Sequence, residues 1–451
     1  MSLTATIAAF LCELDERTIP PEVMEKARAC LLNGYGIALG CHATPYAPIA
    51  RETALALDGL RAEGATLLGD GRRSTVPGAA LANAALFHGR AQEDTCGAAH
   101  IGAIVIPLLT AMIEAEGYPL DRLLPSLVAG YEAGGLLEGA YGRVTSPAGF
   151  RASPLYGTVA AAAAAARLMQ LPPERMEAAI ANAVSFTGGL LQSFAEGTDE
   201  WRYQVGVTAR NGLIAATLAR AGSVSARQPI EGRAGFVRAF VREECDVGAL
   251  AARLGRDWAT MRVAFKPYPV CAFNQTLVGA ALALKERVGD RPIEGVTVRM
   301  NPFETGYAGM DAKGPFATIS GTLMSIPFCA AAPLLRGMPT MALMTTYDDA
   351  AINALTARVR LESDPAIPTL SCKVAVTLAD GATIEEHARK TAADYSYSRD
   401  EVSALIRRIG REEGVPAVAY DRLEAFVGNL PEGAIEDVID AFAPITRRAA
   451  A

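Results

Sequence analysis

A chain of 451 residues, of which 51% are hydrophobic and 20% charged, is long enough for two or three domains built around a large core. Its net charge of −7 excludes a general nucleic-acid-binding protein, which needs a basic face, so any site for an anion has to be local. No apolar run reaches the 18 residues that suggest a membrane span, and we expect no membrane partner. The N-terminal segment has the pattern of an amphipathic helix without the basic region of a signal peptide, which predicts a cytoplasmic protein.

Cysteine and histidine usage gives no sign of a metal centre. The eight cysteines are scattered without a C-x-x-C pair, and the four histidines are His42, His88, His100 and His387. None of them forms a cluster with zinc-ligand spacing. We therefore predict no metal site, and we interpret His42, His88 and His387 as structural residues.

Helical patterns fill the chain as far as about residue 260. A proline at the first turn begins a helix at Pro21, which Gly40 ends. Further helices are predicted at 47–57, 77–87, 101–114, 123–137, 153–169, 172–190 and 208–221, with a short strand at 65–68. A glycine-rich loop is predicted at 139–143, and the charged, aromatic segment 196–206 is expected to interrupt the helices.

The pattern changes near residue 262. Alternating apolar residues predict strands at 296–300, 357–361 and 372–378, and Asp380-Gly381 is a hairpin turn signal before a strand that carries His387. Helices are predicted at 277–288 and 327–335, and helices return after residue 396. The fold class is therefore mainly α, with a large all-α helical domain (1–261 and 396–451) and a smaller α+β domain (262–395).

A polar insert between two apolar helices is the first candidate for a functional site. It runs from Arg90 to Cys96 and is followed by His100. Polar groups against a core cost about 1–3 kcal/mol each when they are unpaired, so we expect the insert to be either hydrogen-bonded or used in function. The alternative is a simple turn between helices in which Asp94 or Thr95 caps the second helix.

Several segments, taken in their order and spacing, resemble the MmgE/PrpD family of 2-methylcitrate dehydratases, cis-aconitate decarboxylases and iminodisuccinate epimerases. The resemblance spans nearly the whole chain. Its segments are the alanine-rich stretch 80–89, Gly130-Tyr131-Glu132, Gly149-Phe150 with Gly157-Thr158, Ala209-Arg210-Asn211-Gly212, Lys266-Pro-Tyr-Pro-Val-Cys271 and Ser325-Ile-Pro-Phe-Cys329.

The resemblance implies a large all-α domain with the smaller α+β domain as its lid, and it implies a homodimer. It also implies an active site in the cleft between the two domains that uses no metal or other cofactor. The implied substrates are small di- and tricarboxylates.

The chain departs from the family pattern at the active-site motifs. The first aspartate of the family's D-F-D-D-T is Ala91, and the histidine of its G-F-H is Arg151. The lysine of K-R-L-H-P-G is Trp201. Two further family histidines are replaced by Cys271 and Gln275. The residues that still match are Asp94, Thr95, His100 and Lys266.

Chemistry next to a carboxylate needs a proton carrier and groups that stabilise an enolate-like charge. Lys266 and His100 are the predicted proton carriers, with Asp94 and Thr95 as the other catalytic candidates; Asp94 would orient His100 or Thr95. Arginine holds carboxylates bidentately. The predicted substrate-binding residues are accordingly Arg151, Arg202, Gln204, Tyr156, Tyr268, Cys271 and Gln275.

Three functions remain open on these grounds. The first is a lyase of the dehydratase or decarboxylase type that acts on a small polycarboxylate. The second is an epimerase or isomerase, in which the same proton abstraction is followed by reprotonation from the opposite face. The third is a diverged relative with a non-carboxylate substrate or without catalysis.

Overall fold

A computed structural model describes residues 2–449, including side chains as far as residue 446. Helices dominate the first 260 residues. They are α1 (Leu3–Cys12), α2 (Pro21–Gly40), α3 (Tyr46–Asp58), α4 (Val76–Phe87), α5 (Gly102–Glu116), α6 (Leu123–Thr145), α7 (Ala152–Leu168), α8 (Pro173–Phe186), α9 (Gln192–Glu196), α10 (Glu200–Ala221) and α11 (Val247–Arg253). Two short strands, β1 (Ala65–Thr66) and β2 (Arg73–Ser74), pair with each other after α3.

The rest of the described chain adds a sheet, shorter helices and a helical C-terminal part. The strands are β3 (Thr95–Cys96), β4 (Val263–Ala264), β5 (Ile293–Met300), β6 (Val359–Ser363), β7 (Ser371–Leu378) and β8 (Thr383–Arg389). The helices are α12 (Gln275–Val288), α13 (Pro302–Thr305), α14 (Ile319–Met324), α15 (Ile326–Arg336), α16 (Met341–Met344), α17 (Ala350–Ala357), α18 (Arg399–Glu413), α19 (Ala417–Asn429) and α20 (Ile435–Ala449). The fold is thus mainly α, as predicted.

The buried apolar side chains form two hydrophobic cores. The larger core lies among the long helices, where α7 packs between α6 and α10. Alanines from 160 to 166 allow this close approach, and Gly212 of α10 lies so near Ala161 that a β-carbon there would be 2.3 Å from the methyl group. No helix among the described residues is long and apolar enough to cross a membrane.

The second core belongs to the four-stranded sheet, whose order is β6-β5-β7-β8. β5 is parallel to β6 and antiparallel to β7, and the hairpin at Asp380-Gly381 joins β7 to β8 as predicted. Side chains of β7 alternate between buried and half-buried, and α12 covers this sheet together with α15. Phe194 and Trp201, from the helical part, also contribute to this second core, so the two parts share apolar contacts.

Two local predictions are wrong. The segment 139–143 is not a loop, because α6 continues through it to Thr145. Glycine is useful in this helix for packing: a β-carbon at Gly139 would lie 3.0 Å from the Arg253 and Arg262 side chains. The expected interruption at 196–206 is confined to its first residues, because α10 already begins at Glu200 and buries Trp201.

Candidate functional site

The loop that follows α4 carries the acidic residues of the site and is buried throughout. Arg90 fixes the loop to the C-terminal end of α18, where its Nη2 lies 2.9 Å from Glu412 Oε1 and its Nη1 contacts Glu413. Gln92 donates from Nε2 to the carbonyl of Pro267 at 2.9 Å. These contacts hold the loop against both the C-terminal helices and the segment that contains Lys266.

A short strand pair brings Lys266 to this loop. β3 and β4 are antiparallel, with Thr95 opposite Ala264, although the two strands are far apart in the chain. Two residues after β4, the Lys266 side chain is buried and its Nζ donates to Glu93 Oε1 at 3.0 Å. Tertiary pairing, rather than local sequence, therefore creates this ion pair.

Glu93 is the centre of the site, because one of its oxygens contacts three nitrogen atoms. Its Oε1 lies 3.0 Å from His88 Nδ1, 3.0 Å from His100 Nδ1 and 3.0 Å from Lys266 Nζ. Burial alone would raise the pKa of the Glu93 carboxyl, but His88, Lys266 and His100 outweigh burial and bring that pKa well below its usual range. Glu93 is therefore an ionised carboxylate at neutral pH.

Hydrogen bonding fixes the tautomer of His88. Arg151 Nη2 lies 2.7 Å from His88 Nε2, and a guanidinium can only donate, so Nε2 accepts and the proton is on Nδ1, facing Glu93. Burial lowers the pKa of His88 to about 4, which makes the ring neutral at pH 7. The His88 Nε2 atom is thus hydrogen-bonded, and Nδ1 lies 3.0 Å from Glu93 Oε1.

His100 has the opposite arrangement, with one nitrogen available. Its Nδ1 lies 3.0 Å from the carbonyl oxygen of Asp94 as well as 3.0 Å from Glu93 Oε1, and two acceptors at one nitrogen place the proton there. The other nitrogen, Nε2, is then the basic one. Burial, followed by the Lys266 charge, lowers the pKa of His100 well below its usual value, so the ring is a neutral base at pH 7.

Asp94 lies beside Glu93 in sequence but points into the helical core. Its Oδ2 accepts a short hydrogen bond from the Tyr131 hydroxyl, and its Oδ1 has no hydrogen-bond partner among the described residues. Burial raises the pKa of Asp94 to about 6. Its contact with His100 is made by the backbone carbonyl, and its carboxylate contacts neither His100 nor Thr95 in the described hydrogen bonds.

Arg151 occupies the position before α7 and is fully buried. Nη1 donates to the Trp201 carbonyl and, at 3.0 Å, to Gln204 Oε1, while Nη2 contacts His88. These bonds use three of the five donors of a guanidinium, which leaves Nε–H and one Nη2–H. Burial lowers the pKa of Arg151 to about 10, so it remains a cation at neutral pH.

Two cavities that share part of their lining adjoin this cluster. The inner chamber has a volume of about 40 Å³ and is lined by Ala91, Thr95, Ala98, His100, Arg151, Phe194, Trp201, Lys266, Cys271, Ala272, Phe273, Tyr307, Leu323 and Met324. The outer cavity, of about 370 Å³, shares Thr95, Ala98, Lys266, Ala272 and Phe273 with it. Lys266 therefore lies where the two cavities meet.

The structure brings together Thr95, His100, Arg151, Lys266 and Cys271, which all line the inner chamber. Burial raises the pKa of the Cys271 thiol to about 11, so the thiol is neutral at pH 7. The lining of the inner chamber therefore combines the cations Lys266 and Arg151 with the neutral His100 imidazole. The Thr95 hydroxyl and the Cys271 thiol complete this set, and the buried Glu93 carboxylate lies next to it.

The other predicted substrate-binding residues lie elsewhere or are already bonded. Arg202 donates to Ser320 Oγ at 2.8 Å and lies outside the inner chamber's lining, as does Tyr156, whose hydroxyl contacts Thr145 at 2.7 Å. Gln275 reaches the outer cavity, but its amide bonds the backbone of Tyr268 at 3.0 Å. Gln204 accepts a hydrogen bond from Arg151 Nη1 at 3.0 Å and so helps to fix the position of the guanidinium.

Sequence reasoning did not select Glu93 or His88. On sequence grounds His88 is one of three structural histidines, yet it lies between Glu93 and Arg151. The available signal was the burial expected of the whole polar insert, which requires each polar side chain to find a partner. The family's first aspartate is replaced by Ala91, and the family pattern gave no reason to select Glu93 two positions later.

The site offers no arrangement suited to a metal ion. Among residues 2–449, no group of three or more histidine, cysteine, aspartate or glutamate side chains is placed to hold one. Glu93 and its two histidines share their contact oxygen with the Lys266 ammonium, a cation that would repel a metal ion there.

Comparison with known proteins agrees with the predicted resemblance. Residues 5–246 match the MmgE/PrpD N-terminal domain and residues 268–409 match the MmgE/PrpD C-terminal domain. A cis-aconitate decarboxylase-like protein, oryM, from Aspergillus oryzae is 28% identical over 362 residues, which cover 74% of each chain.

Two further relatives are named cis-aconitate decarboxylase. The one from Aspergillus terreus is 26% identical over 373 residues, covering 77% of this chain and 74% of its own. The one from Homo sapiens is 28% identical over 331 residues, covering 68% of this chain and 66% of its own. The two domain matches together span most of the chain, and the protein therefore belongs to the MmgE/PrpD family.

Proposed function

We propose that the protein is a metal-independent lyase of the dehydratase or decarboxylase type, which transfers a proton next to a carboxylate of a di- or tricarboxylate. The observation that carries this proposal is the convergence of Lys266 and His100 on one oxygen of Glu93, beside a chamber that Arg151 also lines. The names of the relatives support a lyase, since three of them from different organisms are decarboxylases or decarboxylase-like.

The charge at the chamber suits a carboxylate. Both histidines are neutral at pH 7, so Lys266 and Arg151 are the cations that line the inner chamber, and Glu93 lies beside Lys266. Electrostatic attraction is strong in such a buried place, where water screens little. The two remaining donors of Arg151 would bind one substrate carboxylate.

His100 and Lys266 have complementary roles in this proposal. In a dehydration, His100 Nε2 takes the proton from the carbon next to the carboxylate, and the leaving hydroxyl departs as water with a proton from the Lys266 ammonium. In a decarboxylation, the bond to the leaving carbon dioxide breaks, its electron pair remains on the substrate carbon, and Lys266 protonates that carbon. Glu93 positions both groups.

Other residues shape or support the chamber in the same proposal. The Thr95 hydroxyl would donate a hydrogen bond to substrate, and the neutral Cys271 thiol would contribute volume without charge. Gln204 would keep Arg151 oriented. We expect Tyr156, Tyr268, Arg202 and Gln275 to support the surrounding structure rather than bind substrate.

An epimerase is the runner-up, and the geometry favours it less. Reprotonation from the opposite face needs a second proton carrier across the substrate carbon. His100 and Lys266 instead contact the same carboxylate oxygen, each at 3.0 Å, and so approach the chamber from neighbouring positions. This arrangement suits chemistry on one face of the substrate.

The family resemblance also implies a homodimer, which we retain as a proposal. Val207, Ile214 and Leu218 lie seven and four residues apart on α10 and are 48%, 39% and 41% exposed, so they form an apolar stripe on one helix face. Light scattering of the purified protein would give the mass of the assembly directly.

Proton NMR in D₂O tests the proposed reaction. The protein is mixed with 2-methylcitrate, cis-aconitate, citrate or iminodisuccinate, and the same panel is repeated with Lys266→Ala. Turnover with loss of water or carbon dioxide, absent in the variant, is the expected result. Deuterium exchange with inversion and no leaving group would indicate the epimerase. No change in any of the four compounds would contradict both the lyase and the epimerase.

A further inference from the structure

The outer cavity, of about 370 Å³, is lined by more basic than acidic side chains. Arg143, Arg253, Arg262 and Lys266 all line it, and Glu138 is the one acidic residue in this lining. Burial raises the pKa of the Glu138 carboxyl to about 7, so near neutral pH this carboxyl carries only part of its charge. The walls of the outer cavity therefore favour an anion.

Two of these four cations share a single carboxylate. Arg253 and Arg262 converge on Gly139 of α6, where a β-carbon would lie 3.0 Å from an Nη2 atom of each. Asp257 is the acid they share, because its Oδ2 lies 2.8 Å from Arg253 and its Oδ1 lies 2.7 Å from Arg262. Arg262 also donates to the Gly135 carbonyl at 2.9 Å. Both guanidinium groups are thus held in place, and they would act on a ligand through their charge.

Arg143, near the end of α6, is the cation best able to bind a ligand directly. It makes no ion pair among residues 2–446, and it is exposed at the solvent side of the cavity. Its Nη2 lies 3.5 Å from Thr369 Oγ1, which is longer than an ordinary hydrogen bond, and its guanidinium carbon is 5.7 Å from the centre of the Phe303 ring. These weak contacts leave most of its five donors available to a carboxylate.

The positions of three cations along the two cavities suggest how a substrate would lie. Arg151 lines only the inner chamber, Lys266 lines both cavities, and Arg143 lines only the outer cavity. The inner chamber, of about 40 Å³, has room for one small group. A substrate with one carboxylate at Arg151 therefore has to extend past Lys266 into the outer cavity.

We propose that the outer cavity binds a second carboxylate of the substrate, and that Arg143 is the residue that recognises it. This inference rests on the proposed function, because it assumes that the first carboxylate reaches Arg151. It selects substrates that are long enough for their two acidic groups to lie on either side of Lys266. Arg143 is then a specificity-determining residue outside the inner chamber.

Binding of saturated diacids tests the proposal without turnover, because these compounds have no hydroxyl group to lose. Isothermal titration compares glutarate, adipate, pimelate and suberate, each with its own monoamide, which has the same length but one carboxylate fewer. We expect the wild-type protein to prefer the diacid by about tenfold at the length that reaches Arg143. Arg143→Gln should lower this preference by about threefold or more and leave the affinity for the monoamide unchanged.

Arg389→Gln is the matched control, because Arg389 is an exposed arginine on β8 outside both cavity linings; it should retain the full preference. Equal affinity for diacid and monoamide at every length, or an unchanged preference in Arg143→Gln, would overturn the inference and leave the proposed function standing. Failure of every diacid and monoamide to bind would overturn both. The comparison in the wild-type protein decides whether a second carboxylate is bound, even if Arg143→Gln does not fold.

Discussion

Glu93 and Asp94 are consecutive buried acids with opposite environments. Glu93 faces the cavities and contacts three nitrogen atoms, which bring its pKa well below the usual range. Asp94 faces the helical core with one hydroxyl partner, and burial raises its pKa to about 6. Two carboxyl groups one residue apart thus have different charges near pH 5, because the pKa follows the number of cationic and donor partners rather than burial alone.

The largest expected effect is at Glu93. Glu93→Gln removes the negative charge that Lys266 and the two histidines share, which leaves a buried ammonium unpaired. We expect a loss of about 3–5 kcal/mol in the free energy of unfolding and a fall of roughly 10³-fold or more in kcat/KM. Urea unfolding and the NMR assay measure the two effects. Asp94→Asn is the comparison, and a similar loss of activity in both variants would contradict the different roles.

His100 comes next. His100→Gln keeps a polar side chain but no base, so we expect kcat to fall about 10²- to 10⁴-fold. Because the pKa of His100 lies well below its usual value, wild-type activity should persist below pH 6.5. A pH–rate profile checks this expectation. His387→Gln, on the exposed face of β8, should behave like wild type; an acidic limb centred near pH 6.5 would argue against His100 as the base.

The pH dependence of stability separates the two acids. The folded-state pKa of Asp94 is raised, so its ionisation destabilises the fold as pH rises from about 4 through 6, and Asp94→Asn should gain up to about 3 kcal/mol relative to wild type over that range.

The pH dependence of the stability has the opposite sign for Glu93. Its folded-state pKa is depressed, so it stabilises the fold above about pH 4.5 and this contribution is lost as the pH falls further. Chemical unfolding of both variants at a series of pH values measures the slopes. Parallel slopes for Glu93→Gln and Asp94→Asn would contradict the comparison.

The smallest expected effect is at Arg151. Arg151→Lys retains the positive charge but cannot bridge His88, Gln204 and a substrate carboxylate together. We expect KM to rise about 10- to 100-fold with a smaller change in kcat. Steady-state kinetics with the best substrate of the panel measures both constants, and an unchanged KM would remove Arg151 from substrate binding.

The sequence predicts the helices better than the site. Alanine-rich periodic segments such as 153–169 correspond closely to α7, since their pattern reflects local packing. The polar insert was also identifiable, because so many polar residues between apolar helices need partners. What the pattern lacks is the direction of each side chain: Glu93 and Asp94 look equivalent in sequence, and only the pairing of Thr95 with Ala264 brings Lys266 to one of them.

Glycines misled the local prediction in one place for a physical reason. Glycine is usually unfavourable inside helices, so 139–143 resembles a loop. In α6 the missing side chains make room for Arg253 and Arg262, and tertiary packing outweighs the low helix propensity.

The anchoring of Arg90 has a practical consequence for anyone who shortens this protein. The family match ends at residue 409, whereas the two carboxylates that hold Arg90, Glu412 and Glu413, come just after it. A chain cut at the end of the match would leave a buried guanidinium without its counter-ions directly beside the site. Expression of the matched region alone would therefore be a misleading test of activity.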